Sequence, residues 1–151
     1  MLKRISIIVF ILLLAGIGVY SYIANEKFSD TSKRRASYRV SAIEFIKEFQ
    51  QNDSAANQKY TDKIIIVTGI VSEKEMADTT VNIKFIDAAT GSYVIFAFQE
   101  QHLDDAKTIK KGQIVSIKGS CSGGIHSEIL GTEVITFKRC ALNKKNQMLK
   151  N

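Results

Sequence analysis

Apolar residues form one long run near the N-terminus and shorter, periodic groups over the remainder of the chain. Ile5–Ile23 is overwhelmingly apolar, and no charged residue occurs between Ile5 and Asn25. A helix rises 1.5 Å per residue, so a run of this length reaches roughly 28 Å, which matches the hydrocarbon core of a bilayer. The pattern therefore predicts one transmembrane helix followed by a small domain.

A basic start followed by an apolar run is also typical of a secretory signal peptide. The run exceeds the usual apolar region of such peptides, and Tyr22 lies two positions before Ala24, where a cleavage site needs a small residue. Residues 1–24 are therefore predicted to be a retained anchor, with cleavage near Ser21 as the alternative. The flanking charges nearly balance, and the short N-terminal tail favours a domain outside the cytoplasmic membrane.

Polar segments lie on both sides of the region from which a domain is expected. The polar composition of residues 25–37 predicts a flexible stalk, and that of residues 143–151 predicts a flexible tail. Residues 38–142 remain for one compact domain. The stalk contains the basic cluster Lys33–Arg35, about ten residues beyond the apolar run. This cluster either contacts anionic lipid headgroups or belongs to a solvated stalk.

The domain begins with a helical pattern. Ser41 and Glu44 form a capping box, and apolar residues at Ile43, Ile46 and Phe49 then share one helical face. Asn52–Ser54 ends this helix and offers a cap for a short second helix.

Strand patterns follow the two helices. Five short strands are predicted, at Ile64–Val71, Val81–Phe85, Tyr93–Gln99, Gln113–Gly119 and Glu133–Cys140. A short helix, His102–Lys107, separates the third from the fourth strand. This is the element order of an OB-fold barrel, so we expect a mainly β domain, α+β by content, with N-terminal flanking helices.

The second and third predicted strands carry the surface that OB-folds use for ligands. If Phe85, Phe96 and Phe98 face inward, the outward residues are Asn82, Lys84, Tyr93, Ile95, Ala97 and Gln99. One aromatic ring and one cation are fewer than a platform for single-stranded nucleic acid usually offers. A protein, peptide or glycan is the expected ligand, with nucleic acid as the alternative. The candidate ligand-binding residues are Lys84, Tyr93, Gln99, Lys118 and His126.

The charge of the chain does not decide between these ligands. The formal net charge is +6 at pH 7, and charges of both signs are mixed along the domain. A solvated surface explains this balance, and nucleic acid is not required by it.

The only two cysteines are Cys121 and Cys140. A hairpin turning at Leu130–Gly131 places them opposite each other, close enough for a disulfide. Such a bond requires an oxidising compartment and therefore agrees with an extracytoplasmic domain. The alternative is a pair of buried free thiols.

No catalytic or metal-binding constellation is recognisable. His102 lies near Asp104 on what reads as a solvated turn, and Cys121, His126 and Cys140 are too scattered for a metal site. An anchor followed by an OB barrel also describes the haem chaperone of cytochrome c maturation, whose His-x-x-x-Tyr motif attaches haem. Leucine at position 130 replaces that tyrosine, so haem is not expected. We predict neither an enzyme nor a cofactor.

Several short motifs, soft individually, agree in order and spacing with one known family. They are Tyr38–Ala42, Phe49–Asn52, Ala55–Asn57, Lys59–Tyr60, Lys63, Val67–Val71, Lys111–Gly112, Val115–Gly123 and Cys140–Leu142. With them the chain resembles the tRNA_anti-like proteins, small OB-fold proteins common in the envelope of Bacteroidetes-type bacteria. The resemblance implies no catalytic residues and does not imply tRNA binding. Residues 124–131 depart from the family by lengthening the loop between the cysteines.

These observations together predict a single-pass protein of the cytoplasmic membrane with an extracytoplasmic, periplasmic domain. Its expected partners are the membrane, through residues 5–23, and an unidentified protein, peptide or glycan.

Overall fold

The computed structural model describes residues 13–18 and 30–144. Residues 13–18 are helical and exposed. The remainder of the predicted transmembrane helix at 5–23 lies outside the described residues, as does the predicted tail beyond residue 144. Within the described ranges, no helix combines the length and the apolar character that crossing a bilayer requires.

Residues 30–144 contain three α-helices and seven β-strands. The helices are α1 (Ala42–Gln51), α2 (Asp53–Tyr60) and α3 (Leu103–Thr108), and 3₁₀ turns occur at Thr31–Lys33 and Glu100–His102. The strands are β1 (Tyr38–Ser41), β2 (Ile64–Ile70), β3 (Glu73–Ala77), β4 (Thr80–Ile86), β5 (Tyr93–Phe98), β6 (Ile114–Ser127) and β7 (Thr132–Leu142).

All seven strands belong to one mixed sheet in the order β1-β2-β6-β7-β5-β4-β3. β1 is parallel to β2 and β5 is parallel to β7, whereas the other neighbours are antiparallel. The five strands expected from the sequence correspond to β2, β4, β5, β6 and β7, and α3 lies between the third and fourth of them, as predicted.

The expected count of five strands is corrected by β1 and β3. β1 has four residues and is ordered by parallel pairing with β2. The two strands are far apart in the sequence, so the local pattern of residues does not predict this pairing. β3 has the sequence Glu-Lys-Glu-Met-Ala, which lacks apolar alternation, and it is ordered by pairing with β4.

The chain changes pairing partners between β2 and β3. Val71 N donates to Gln113 O at 3.0 Å, just before β6, and Ser72 N donates to Lys84 O of β4 at 2.9 Å. The change of partner therefore falls between two consecutive residues, Val71 and Ser72.

The caps predicted for α1 and α2 are present. Ser41 Oγ accepts from Glu44 N at 3.3 Å and donates to Glu44 Oε2 at 2.9 Å, so the carboxylate reaches back to the capping hydroxyl. Asn52 ends α1 and begins α2, where its Oδ1 accepts from Ala55 N at 2.9 Å.

Aromatic rings connect α1 to the centre of the sheet. Phe96 packs against Phe85 and Phe137, with ring centroids 4.8 and 5.0 Å apart, and Phe137 contacts Phe45 of α1 at 5.7 Å. All four side chains are buried, and Phe98 is buried beside them. The predicted inward orientation of Phe85, Phe96 and Phe98 is confirmed, and the opposite sides of β4 and β5 face away from this core.

The predicted disulfide between Cys121 and Cys140 is corrected: both are free, buried thiols. The hairpin turn is Glu128–Gly131 rather than Leu130–Gly131, and bulges after Lys118 and Cys121 shift the register again. Cys121 consequently lies opposite Phe137. Residues 124–127, expected in a lengthened loop, continue β6.

Candidate binding surfaces

The first candidate surface is the outward side of β4 and β5. Lys84 lies opposite Ile95, and Asn82 lies opposite Ala97, so these residues share one side of the sheet with Tyr93. Their side chains are half-buried, as expected for a surface that neighbouring strands partly shield.

Lys84 is the centre of charge on this surface. Its Nζ is 2.5 Å from Glu75 Oε1 and 3.4 Å from Glu73 Oε2, both on β3, and 5.4 Å from the ring centroid of Tyr93. The hydrogen bond to Glu75 is the main reason why the pKa of Lys84 is raised. Two carboxylates thus outweigh the charge of Lys84, and the surface presents a ring, an ammonium group and carboxylates instead of a basic track.

Two other sequence candidates lie elsewhere. Gln99 follows the end of β5, where its backbone N donates to Cys140 O at 3.0 Å. His126 is on the β6–β7 hairpin, and its Nδ1 is 2.6 Å from Oε1 of the buried Glu133. Among the five candidates, the structure therefore brings Lys84 and Tyr93 into direct contact.

Lys118, the remaining candidate, lines a second surface, a cleft of about 540 Å³. We call this surface the basic cleft and define it by its five cationic residues, Lys33, Arg34, Arg35, Arg39 and Lys118. The other described residues that line it are uncharged, Ile66 and Asn143 among them, and none of these described residues is aromatic.

The sheet arranges three residues of the basic cleft in a row. Arg39 of β1 is in register with Ile66 of β2, and Ile66 is in register with Lys118 of β6. Residues in register on neighbouring strands share one side of the sheet, and the strands lie about 4.8 Å apart. The row therefore alternates cation, apolar side chain and cation.

The other three cations are held by a segment that packs on the domain. Thr31 is buried, Ser37 N donates to Ile64 O at 2.7 Å, and Lys118 Nζ donates to Ser32 O at 2.9 Å. These contacts fix both ends of Lys33–Arg35, a cluster that the sequence assigned to a stalk.

A clip between Asp30 and His102 secures the beginning of this segment. Asp30 Oδ1 is 2.8 Å from His102 Nε2 and accepts from Ser32 N at 2.9 Å. The hydrogen bond with His102 is the main reason why the pKa of Asp30 falls to about 2. Asp30 is the acidic residue nearest to Lys33–Arg35 in the sequence, and its carboxylate is thus engaged with His102 and Ser32.

Sequence reasoning named Lys118 but did not combine it with the other cations of the basic cleft. The cluster Lys33–Arg35 was visible in the sequence. Its connection with Arg39 and Lys118 depends on β1, whose pairing has no local signal.

Within residues 13–18 and 30–144, no group of three or more His, Cys, Asp or Glu side chains is placed to hold a metal ion. His126 is paired with Glu133, and the two cysteines are buried in the core.

The strand order, with α3 inserted between β5 and β6, defines the chain as a small OB-fold protein. The model of the tRNA_anti-like family matches residues 1–147, and the chain belongs to this family. The comparison with curated proteins found no match.

The chain is also similar to solved structures. One is a lipoprotein from Klebsiella pneumoniae subsp. pneumoniae to which nucleic-acid binding is attributed, with 17% identity and a TM-score of 0.55 over 70% of this chain and 92% of that one. Another, from Leishmania major Friedlin, is attributed to aspartyl-tRNA synthetases, with 13% identity and a TM-score of 0.45 over 76% of this chain and 22% of that one. The first likeness supports the fold alone.

Proposed function

We propose that the chain is a non-catalytic binding module of the cell envelope. Residues 5–23 anchor it as a single-pass protein of the cytoplasmic membrane, with the OB-fold domain on the periplasmic side. The family match includes this apolar segment, and the lipoprotein among the structural neighbours supports an envelope location. In this proposal β2 and β3 act as one bent strand that completes a five-stranded barrel.

The ligand bound on the β4–β5 surface is a protein, peptide or glycan. The observation that carries this proposal is the neutralisation of Lys84 by Glu73 and Glu75 beside the ring of Tyr93. An aromatic face next to carboxylates and an ammonium group offers stacking and hydrogen bonds in both directions. A ligand of low net charge suits that combination better than a polyphosphate, which the two carboxylates would repel.

In this proposal both histidines have structural roles: His102 is engaged with Asp30 and His126 with Glu133.

Nucleic acid is the second candidate ligand. The binding attributed to the Klebsiella neighbour favours it, and the net charge of +6 is compatible with it. Nucleic-acid binding depends on cations that release counterions from phosphates, and therefore weakens steeply with salt.

A binding assay separates the two candidates. The full chain in neutral-lipid nanodiscs is titrated with arrayed oligosaccharides and peptides and, separately, with a single-stranded oligodeoxynucleotide. We expect an array ligand whose affinity falls about tenfold in Tyr93→Ala and is retained in Tyr93→Phe, because the ring supplies the stacking. The matched control is Lys138→Ala, an exposed cation on β7.

Salt-dependent oligonucleotide binding that is lost in Lys84→Gln would instead establish the nucleic-acid candidate. Orientation is tested separately, by adding protease to intact spheroplasts. Digestion of the domain is expected, and protection until lysis contradicts the periplasmic placement.

A further inference from the structure

The basic cleft shares no residue with the β4–β5 surface, and its charges require an explanation. Within residues 30–144, Lys33, Arg34, Arg35 and Arg39 form no ion pair, and all four are exposed. The screening length at physiological salt is about 8 Å, so the positive potentials of cations that line one cleft of about 540 Å³ add. The cations therefore repel one another, and an anion that enters the cleft relieves this repulsion.

The chemistry of the cleft fits a phosphate group. Three of the five cations are arginines, whose planar guanidinium groups bind phosphate oxygens in pairs. The cations are also preorganised, because the contacts of Thr31, Ser32 and Ser37 order the segment that carries three of them. Binding therefore needs little ordering of the backbone.

The occupant is narrowed by what the cleft lacks and by where it lies. Within residues 30–144, none of the residues that line it is aromatic, whereas single-stranded nucleic acid is bound by stacking bases on aromatic side chains. The apolar run ends at Ile23, seven residues before Asp30, and seven extended residues span at most about 25 Å. A membrane entered by residues 5–23 therefore lies within reach of the cleft.

We propose that the basic cleft binds the phosphate headgroup of an anionic lipid in the membrane that holds residues 5–23. This inference rests on the anchor of the proposed function. Headgroup binding holds the domain against the bilayer, so the orientation of the β4–β5 surface relative to the membrane is set by the cleft as well as by the anchor. Each cation near an anionic surface adds about fivefold in affinity.

Amide hydrogen exchange of the full chain in nanodiscs tests the proposal. The discs contain phosphatidylcholine alone, or phosphatidylcholine with increasing phosphatidylglycerol. We expect slower exchange at residues 33–39 as phosphatidylglycerol increases. Arg34→Gln should raise the phosphatidylglycerol fraction for half-maximal protection about fivefold, and Arg34→Gln/Arg35→Gln/Arg39→Gln should abolish protection.

The matched control removes the same charge from elsewhere on the surface. Lys47→Gln/Lys110→Gln/Lys111→Gln neutralises three exposed lysines outside the cleft and should keep the protection of residues 33–39. Exchange within β6 and β7 should be the same in both triple variants, which shows that the domain is folded. Equal loss of protection in both would overturn the proposal, because net charge rather than the cleft would then be responsible.

Two further arms distinguish the sources of phosphate. Neutral discs with inorganic phosphate, or with a single-stranded oligodeoxynucleotide, should leave exchange at residues 33–39 unchanged. Protection by free phosphate would make the cleft a site for soluble anions, and protection by the oligonucleotide would make it a nucleic-acid site, so each overturns headgroup binding.

Co-flotation with neutral vesicles tests the anchor independently. Failure to float overturns the anchor and the headgroup proposal together. Flotation without protection by phosphatidylglycerol overturns the headgroup proposal alone.

Discussion

Asn57 of α2 holds Gly124 of β6 through two hydrogen bonds: Asn57 Oδ1 accepts from Gly124 N at 2.8 Å, and Asn57 Nδ2 donates to Gly124 O at 2.9 Å. Gly124 also lies against Phe49, since a Cβ at this position would be 2.6 Å from a ring carbon. One side chain thus satisfies both backbone groups of a residue that must be glycine, and it joins the helices to the long hairpin.

Replacing Asn57 with alanine should lower the free energy of unfolding by about 2 kcal/mol, because two partly buried hydrogen bonds are lost. The measurement is urea unfolding of the full chain in detergent. Gln58→Ala is the matched control, since Gln58 is exposed on the same helix, and it should change stability by less than about 0.5 kcal/mol. Equal losses in the two variants would show that the clamp contributes nothing.

The fold was largely predictable where the pattern of residues is local. Apolar and polar residues alternate clearly in the strands containing Phe85 and Phe96, and the capping box of Ser41 and Glu44 marks the start of α1. All three elements could therefore be located within a residue or two. β1 and β3 were missed because their order comes from β2 and β4, not from their own sequences. The cysteine register failed for a related reason: two bulges and a turn centred on different residues move Cys121 away from Cys140.

The candidate surfaces show the same division. Lys84 and Tyr93 could be predicted because alternation along a strand determines which side a residue occupies. The basic cleft could not, since it joins cations from three separate segments. A cluster such as Lys33–Arg35 reveals charge, whereas the packing of Thr31 and the pairing of Arg39 with Ile66 decide where that charge lies.

A methyl group added at Gly119 should destabilise the core. Its Cβ would be 2.6 Å from Cys140 Sγ and 3.1 Å from a ring carbon of Phe137, both buried. Gly119→Ala should therefore cost about 1–3 kcal/mol in urea unfolding. Combining it with Cys140→Ala removes the closest atom, so the double variant should be less destabilised than the sum of the single variants. Strict additivity would place the strain elsewhere.

The two thiols should react slowly in the native protein and readily after unfolding. Burial raises the pKa of Cys121 to about 11 and that of Cys140 well above its ordinary range, so little thiolate is present near neutral pH. Iodoacetamide should leave the native mass unchanged and add two groups once denaturant is present, without reductant. An unfolded chain that gains no mass until it is reduced would contradict free thiols.

The clip between Asp30 and His102 should make stability depend on acid. The pKa of Asp30 is lowered from 3.8 to about 2, chiefly by the hydrogen bond with His102, so ionised Asp30 favours the folded state. Its contribution is complete above the ordinary pKa and is lost as the pH falls from about 4 to 2. Over this range, Asp30→Asn should lose less stability in urea unfolding than the unsubstituted chain does. Asp104→Asn, a change at an almost fully exposed carboxylate, should follow the unsubstituted chain. If the two variants have the same pH profile, the ionised carboxylate of Asp30 does not stabilise the fold through His102.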